Sequence, residues 1–211
     1  MSDVIANKIF HQLIDEITTG KILSGVKLKE KELSERLGCS RGPLREAIRR
    51  LEAKRLVSII PNAGAQVVTL EPEDLSELYL VREAMEGMGA RLAAKNMTDD
   101  QINAIRNALH DQKGGEQDVD MNLFSNPKNL DFHFQVIQGS GNRRLFELLC
   151  NDLYFLIMLY RQKYSNTASK INSHKRHLEI LNAIEDREEE LAEMLMRRHI
   201  KESRESILRT L

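Results

Sequence analysis

Two helical stretches with a very short break between them constrain the fold of this chain most strongly. The first, "KEKELSERLG", ends at Gly38, and the second starts after Ser40 and continues to about Lys54. Ser40 is the expected N-cap, and Pro43 lies in the first turn, where a missing N–H costs little. A tight turn between two such helices predicts a helix-turn-helix.

The segments on either side of this pair complete a larger motif. Residues 4–19 carry apolar side chains at helical spacing, and residues 20–28 form a tight connection with two glycines. After the second helix of the pair, two short β-rich runs flank "PNAG", which predicts a hairpin. Helix, helix, turn, helix and hairpin together predict a winged helix-turn-helix over residues 1–70.

The rest of the chain follows a different pattern, because no strand signal of any strength occurs after residue 70. Helices are predicted at 73–95, 98–112, 127–139, 143–163, 168–186 and 188–210. The predicted fold class is therefore mainly α. It combines an N-terminal winged helix-turn-helix with a small β-hairpin wing (1–70) and a C-terminal all-α helical bundle (71–211).

Composition narrows the functional classes. Residues 1–70 have a net charge of +4 and the remainder −5, a division that fits a nucleic-acid module joined to another domain. Cys39 and Cys150 form no disulfide framework, so a reducing cytoplasm is expected. No apolar run approaches the roughly 20 residues of a membrane span, and the N-terminus lacks a signal-peptide pattern.

Three arginines recur at a spacing of four in "SRGPLREAIRR", so Arg41, Arg45 and Arg49 share one stripe of the second helix. One interpretation is a solvated face with Glu46 and Glu52 as partners. The position of the helix in the motif favours contact with DNA. Arg49, deeper in the helix, is expected to contact a phosphate or to form a salt bridge.

Residues 28–57, "LKEKELSERLGCSRGPLREAIRRLEAKRLV", followed by "PNAGAQV", resemble the GntR family of bacterial transcription regulators. The resemblance implies a double-stranded DNA operator as partner. Its implied contacts are Lys31, Arg41, Gly42, Arg45 and the wing-tip Gly64. One departure is Ala63, which stands where the family commonly has an arginine, so the wing lacks a charged side chain at this position.

Three histidines lie in register with apolar residues on three different helical stretches: His133, His177 and His199. For any one of them alone, a hydrogen-bonded core histidine is the better interpretation. Three inward histidines with little else polar on those faces suit a shared metal. Asn129 lies one turn before His133 on the same face.

Residues 78–94, 132–149 and 177–200 resemble the FadR-type ligand-binding domain, often called FCD, which is all-helical. Many members hold a metal with a D-x-x-x-H pair and two later histidines, so the resemblance implies a divalent metal. Zinc is expected, with nickel or manganese as alternatives, and Asn129 replaces the aspartate. Because an amide oxygen is neutral, the metal should bind more weakly and favour an anionic ligand.

The family places an arginine near its ligand, and Arg82 matches that position. The alternative for Arg82 is an i,i+4 ion pair with Glu86. The resemblance also implies a homodimer that binds a two-fold related operator. Similarity to regulators associated with propionate and methylcitrate catabolism suggests a di- or tricarboxylate effector such as 2-methylcitrate.

Two other functional classes remain open at this point. A metal-dependent enzyme acting on a small acid would use the same histidines, but the chain has no HExxH, nucleophile elbow or P-loop. A nucleoid-type binder would need no effector. The sequence favours a regulator without enzymatic activity.

Overall fold

The computed structural model describes residues 2–69, 71–111, 132–164 and 167–209. The first part contains three helices and three strands. They are α1 (Ser2–Thr18), β1 (Lys27–Leu28), α2 (Glu30–Leu37), α3 (Arg41–Ala53), β2 (Val57–Ile60) and β3 (Gly64–Val67). The predicted winged helix-turn-helix is confirmed.

The turn between α2 and α3 forms because the chain reverses at a left-handed residue. Gly38 has φ 60°, and its N–H donates to the carbonyl of Glu35 while that of Cys39 donates to Ser34. Ser40 has the extended backbone of an N-cap, but its side chain makes no capping hydrogen bond. The break between the helices is therefore closed by backbone hydrogen bonds.

The strands form one antiparallel sheet in the order β1-β3-β2. Ser58 of β2 lies opposite Gln66, and the hairpin turn closes with the N–H of Ala63 donating to the carbonyl of Ile60. β1, which pairs Leu28 with Ala65, falls in the segment predicted to be only a connection. A two-residue strand has too few residues to show an alternating pattern.

The second part of the chain is helical. Its elements are α4 (Pro72–Asn96), α5 (Asp99–Asp111), α6 (Phe132–Gly139), α7 (Arg143–Phe146), a π-helix (Glu147–Leu153), α8 (Tyr154–Tyr164), α9 (Thr167–Glu185) and α10 (Glu189–Leu208). The helix predicted at 143–163 is thus three successive segments. In the described part of the chain, no helix is both long and apolar enough to cross a membrane.

Two glycines of α4 let neighbouring helices approach closely. A Cβ at Gly87 would lie 2.6 Å from Cγ of Arg197 in α10, and one at Gly89 would lie 2.2 Å from Cδ1 of Ile137 in α6. α4 packs along both helices. These contacts bring the three helices together, and α9 packs on α4 and α10 as well.

Backbone contacts divide the chain into two compact units. One comprises Met1–Leu70 with Asp152–Lys163, and the other Glu71–Asn151 with Tyr164–Leu211. The segment 152–163 therefore groups with the winged helix-turn-helix, whereas the sequence assigned it to the bundle. The domain limits 1–70 and 71–211 stay a prediction.

Candidate metal centre and nucleic-acid interface

α3 is amphipathic, which decides which side chains it offers to a partner. Leu44, Ala47, Ile48 and Leu51 are buried against the rest of the winged helix-turn-helix. All six residues predicted to contact DNA are exposed: Lys31, Arg41, Gly42, Arg45, Arg49 and Gly64. Five lie on α2 and α3, and Gly64, with φ 86°, begins β3 beside the hairpin turn.

The ion pairs around α3 differ from those suggested by the sequence. Glu46 pairs with Arg50, at 3.0 Å, and not with the arginine stripe. Arg45 pairs with Glu30 of α2, at 2.9 Å. Among the residues that the structure describes, Arg41 and Arg49 have no ion-pair partner. Two of the three arginines therefore present an uncompensated charge to solvent.

The three predicted histidines meet in the second unit. His133 lies on α6, His177 on α9 and His199 on α10, and all three are buried. Their Nε2 atoms are 3.2 Å (His177–His199), 3.3 Å (His133–His177) and 3.3 Å (His133–His199) apart. The sequence prediction of one shared cluster is confirmed by this geometry.

A buried carboxylate orients one of these rings. Nδ1 of His133 lies 2.6 Å from Oε2 of Glu86 on α4, so the Nδ1–H donates to the carboxylate and Nε2 keeps its lone pair. Nε of Arg82 donates to Oε1 of the same carboxylate at 2.7 Å. The guanidinium also lies over the ring of Tyr79, 4.6 Å from its centroid.

Arg82 and Glu86 thus form the i,i+4 pair considered in the sequence analysis, and the pair also touches the histidine cluster. Both side chains are buried. Burial by itself raises the pKa of Glu86, but the Arg82 guanidinium, the nearby His133 and the hydrogen bonds from both residues outweigh it and lower the pKa to about 2. Glu86 is therefore ionised and largely neutralised by Arg82.

A ring stack and burial characterise the other two histidines. The ring of Phe132 stacks on His177 with centroids 4.2 Å apart and an interplanar angle of 16°. Burial first, and then the neighbouring His133 and His177, lower the pKa of His199 well below its usual value. A neutral imidazole is the form that binds metal. Asn129, the predicted fourth ligand, lies outside the described residues.

The donor set fits a tetrahedral ion. Zinc bound to nitrogens at about 2.0–2.1 Å holds those nitrogens about 3.3 Å apart, which matches the separations of the three Nε2 atoms. Within the described part of the chain, these three side chains are the group arranged to hold a metal. Three imidazoles leave one position for another ligand.

Sequence reasoning missed two residues of this site. Glu86 was considered only as the partner of Arg82, and Phe132 was not considered. The spacing of Arg82 and Glu86 was visible, but the contact between Glu86 and His133 joins residues 47 positions apart. Nothing in a single sequence indicates such a contact.

Comparison with known proteins agrees with both parts of the structure. A family model described as "FCD domain" matches residues 77–202, and one described as "Bacterial regulatory proteins, gntR family" matches residues 5–67. The "Nta operon transcriptional regulator" of Aminobacter aminovorans is 30% identical, over 87% of this chain and 85% of the relative.

Two further similarities extend over most of the chain. The "Probable D-xylose utilization operon transcriptional repressor" of Paenarthrobacter nicotinovorans is 28% identical, over 93% of this chain and 85% of its own length. The solved structure of E. coli McbR/YncC superposes with a TM-score of 0.77 at 22% identity, covering 98% of this chain and 97% of that one. Because the identity to E. coli McbR/YncC is only 22%, this structural similarity supports the fold alone.

Proposed function

Because the chain belongs to the gntR family of bacterial regulatory proteins and carries an FCD domain, we propose that a small carboxylate, bound at a metal in that domain, controls its binding to a two-fold related operator. The chain is a DNA-binding transcriptional regulator and not an enzyme, so the alternative of a metal-dependent enzyme acting on a small acid is set aside. A regulator of this kind acts where the chromosome is, so we place it in the cytoplasm.

The proposed DNA contacts are the exposed residues of the helix-turn-helix and wing. Arg41 and Arg45 lie in the first two turns of α3, the part of a recognition helix that reaches base edges. Arg49 and Lys31 are assigned to phosphates, and Gly42 and Gly64 allow close approach of the backbone. Because Ala63 is uncharged, the wing is proposed to contact DNA through its backbone.

The histidine cluster carries the effector half of the proposal. His133, His177 and His199 would hold a divalent ion, zinc in preference to nickel or manganese, with Asn129 as a neutral fourth ligand. The ion would supply a Lewis acid, and a carboxylate would bind it by replacing Asn129 or by adding as a fifth ligand. Phe132 and Glu86 hold two of the rings in place.

The charges around the histidine cluster support an acidic effector. Glu86 is paired with Arg82, so its charge compensates that of a bound cation only in part. Arg82 lies beside the cluster, paired with Glu86, and is proposed to bind the acid by hydrogen bonds. A di- or tricarboxylate suits such a site, and 2-methylcitrate is the first compound to test.

Homodimer formation is supported by apolar side chains that α4 and α10 leave exposed. They are Leu80, Val81 and Met88 on α4, and Leu191, Met194 and Leu208 on α10. Exposed apolar side chains on two packed helices are typical of a surface that a second copy covers.

Met88→Glu should shift the protein toward monomer in light scattering, whereas Lys95→Glu at an exposed position of the same helix should not.

Regulation then follows from linkage. An effector that binds one arrangement of the dimer better than another changes operator affinity by that difference, typically about 1–3 kcal/mol. The relative from Paenarthrobacter nicotinovorans is named as a transcriptional repressor, so repression is the proposed mode. Release of DNA by the acid is the expected direction.

A gel shift on the DNA upstream of the protein's own gene tests the proposal. The protein should retard this DNA, and an acid should weaken the complex only when zinc is present. His177→Ala should retain DNA binding and lose the response to acid, while His174→Ala, one turn earlier, should keep both. Indifference to every acid, with zinc present, would instead favour the nucleoid-type binder.

A further inference from the structure

Glu30 and Arg45 connect the two helices of the helix-turn-helix. Nε of Arg45 lies 3.1 and 2.9 Å from the two carboxylate oxygens of Glu30. Glu30 is the first residue of α2, and Arg45 lies in the second turn of α3. The pair therefore fixes a side chain of the proposed recognition helix from the helix that precedes it.

The contact uses only one side of the guanidinium. Among the residues that the structure describes, neither Nη nitrogen of Arg45 has a hydrogen-bond partner. The Arg45 side chain is also more exposed than that of Glu30, at 59% against 37%. Because the guanidinium is planar and its donors form a rigid fork, the two Nη groups present a fixed outer edge to solvent.

We propose that Glu30 is a positioning residue for DNA recognition, which holds Arg45 so that its two Nη groups donate to O6 and N7 of one guanine. This inference rests on the proposed contact between Arg45 and DNA. An unrestrained arginine loses rotamer freedom when it binds a base, and the Glu30 carboxylate removes part of that cost in advance. End-on donation to a guanine is the geometry that remains once Nε is occupied.

The carboxylate has a second effect on selectivity. A negative charge beside the DNA surface repels phosphates, and this repulsion is the same for every sequence. The guanine contact, in contrast, is available only at the correct base pair. Glu30 should therefore lower the affinity for non-specific DNA and raise the ratio of specific to non-specific affinity.

The test compares two duplexes of equal length, one selected by the wild-type protein from a random pool and one scrambled. Glu30→Ala should reduce the ratio of the two affinities about tenfold, the effect of one bidentate base contact. The affinity ratio of Glu30→Gln should lie between those of the wild type and Glu30→Ala, because the amide oxygen of Gln still accepts a hydrogen bond from Nε of Arg45. Glu32→Ala is the matched control: Glu32 is exposed on the same helix and pairs with Lys29.

Base substitutions locate the effect. The loss of selectivity in Glu30→Ala should be confined to one G·C pair in each half-site. Substitution of that same pair should no longer change the affinity of Arg45→Ala. An unchanged or larger affinity ratio in Glu30→Ala overturns the proposal, since the pair would then compete with DNA. An equal loss on both duplexes with a lowered Tm also overturns it, because it indicates a structural role.

The control proteins separate this inference from the proposed function. A wild-type protein that selects no sequence contradicts operator binding itself. A selective wild-type protein whose Arg45→Ala variant binds equally well contradicts only the role of Arg45 and, with it, that of Glu30.

Discussion

Glu86 accepts a 2.6 Å hydrogen bond from Nδ1 of His133, a residue 47 positions later in the chain. The bond selects the tautomer in which the proton is on Nδ1. Nε2, which faces the other two histidines, is then unprotonated. Glu86 in turn is held by Arg82. The histidine cluster is thus supported from α4, a helix that contributes no histidine to it.

Glu86→Gln should weaken zinc binding by about 10–100-fold, because the ring of His133 loses both its orientation and the charge behind it. Competition with a chromophoric chelator measures the affinity. Glu83→Gln, on the same helix, is the control and should bind zinc like the wild type. Equal affinities in all three proteins would show that the hydrogen bond has no role in metal binding.

If the histidine cluster holds a metal as proposed, removing that metal should destabilise the second unit. A ligand present at a thousandfold excess over its dissociation constant stabilises the folded state by about 4 kcal/mol, so EDTA should lower the Tm and zinc should restore it. His199→Ala should abolish this response, and His110→Ala, an exposed histidine on α5, should leave it intact. A wild-type Tm that does not respond to either reagent contradicts the metal site.

Gly89→Ala should destabilise the protein by about 1–3 kcal/mol, since the added Cβ would overlap Cδ1 of Ile137 and force α4 and α6 apart. Gly42→Ala is the matched control, because a Cβ on this α3 residue meets no atom within 4 Å. It should leave stability unchanged or raise it by up to about 1 kcal/mol. Chemical denaturation followed by circular dichroism distinguishes the two outcomes.

The ion pair between Glu16 of α1 and Arg36 of α2 should make stability depend on pH. The hydrogen bond from Arg36 lowers the pKa of the largely buried Glu16 from its ordinary value of 4.5. A carboxyl with a lowered pKa in the folded state stabilises the protein above its unfolded pKa and loses this contribution as the pH falls through the folded pKa. The contribution should therefore be complete at pH 6 and should decline as the pH falls from about 4.5 through the lowered pKa of the folded state.

Glu16→Gln isolates this contribution. The variant should be less stable than the wild type by about 1 kcal/mol at pH 6, a modest value because Arg36 is half exposed. The difference should shrink as the solution is acidified. A difference that stays constant from pH 6 to pH 3.5 would mean that the charge of Glu16 makes no contribution.

The parts of the fold that follow local patterns could be predicted from the sequence. The turn at Gly38, the hairpin at "PNAG" and the inward direction of His133, His177 and His199 each follow from spacing along one element. All three features are confirmed. The histidines face inward because burial of an apolar stripe determines which side of a helix faces the core.

Contacts between elements that are distant in the chain could not be predicted from local sequence patterns. β1 exists because Lys27 and Leu28 find β3 about 40 residues later, and two residues show no alternation. The sequence suggests Glu46 and Glu52 as partners of the arginine stripe, whereas Arg45 pairs with Glu30 on another helix. In both cases tertiary packing, and not the local pattern, selects the partner.

The pairing of Arg82 with Glu86 has a consequence for how such a regulator would respond in a cell. The two buried charges cancel, so a metal that enters brings net positive charge and an acid that follows brings the opposite sign. Each ligand would then raise the affinity for the other, as a thermodynamic cycle requires. The protein would respond to two concentrations together, the available metal and the acid, and a dose–response curve for either would shift with the other.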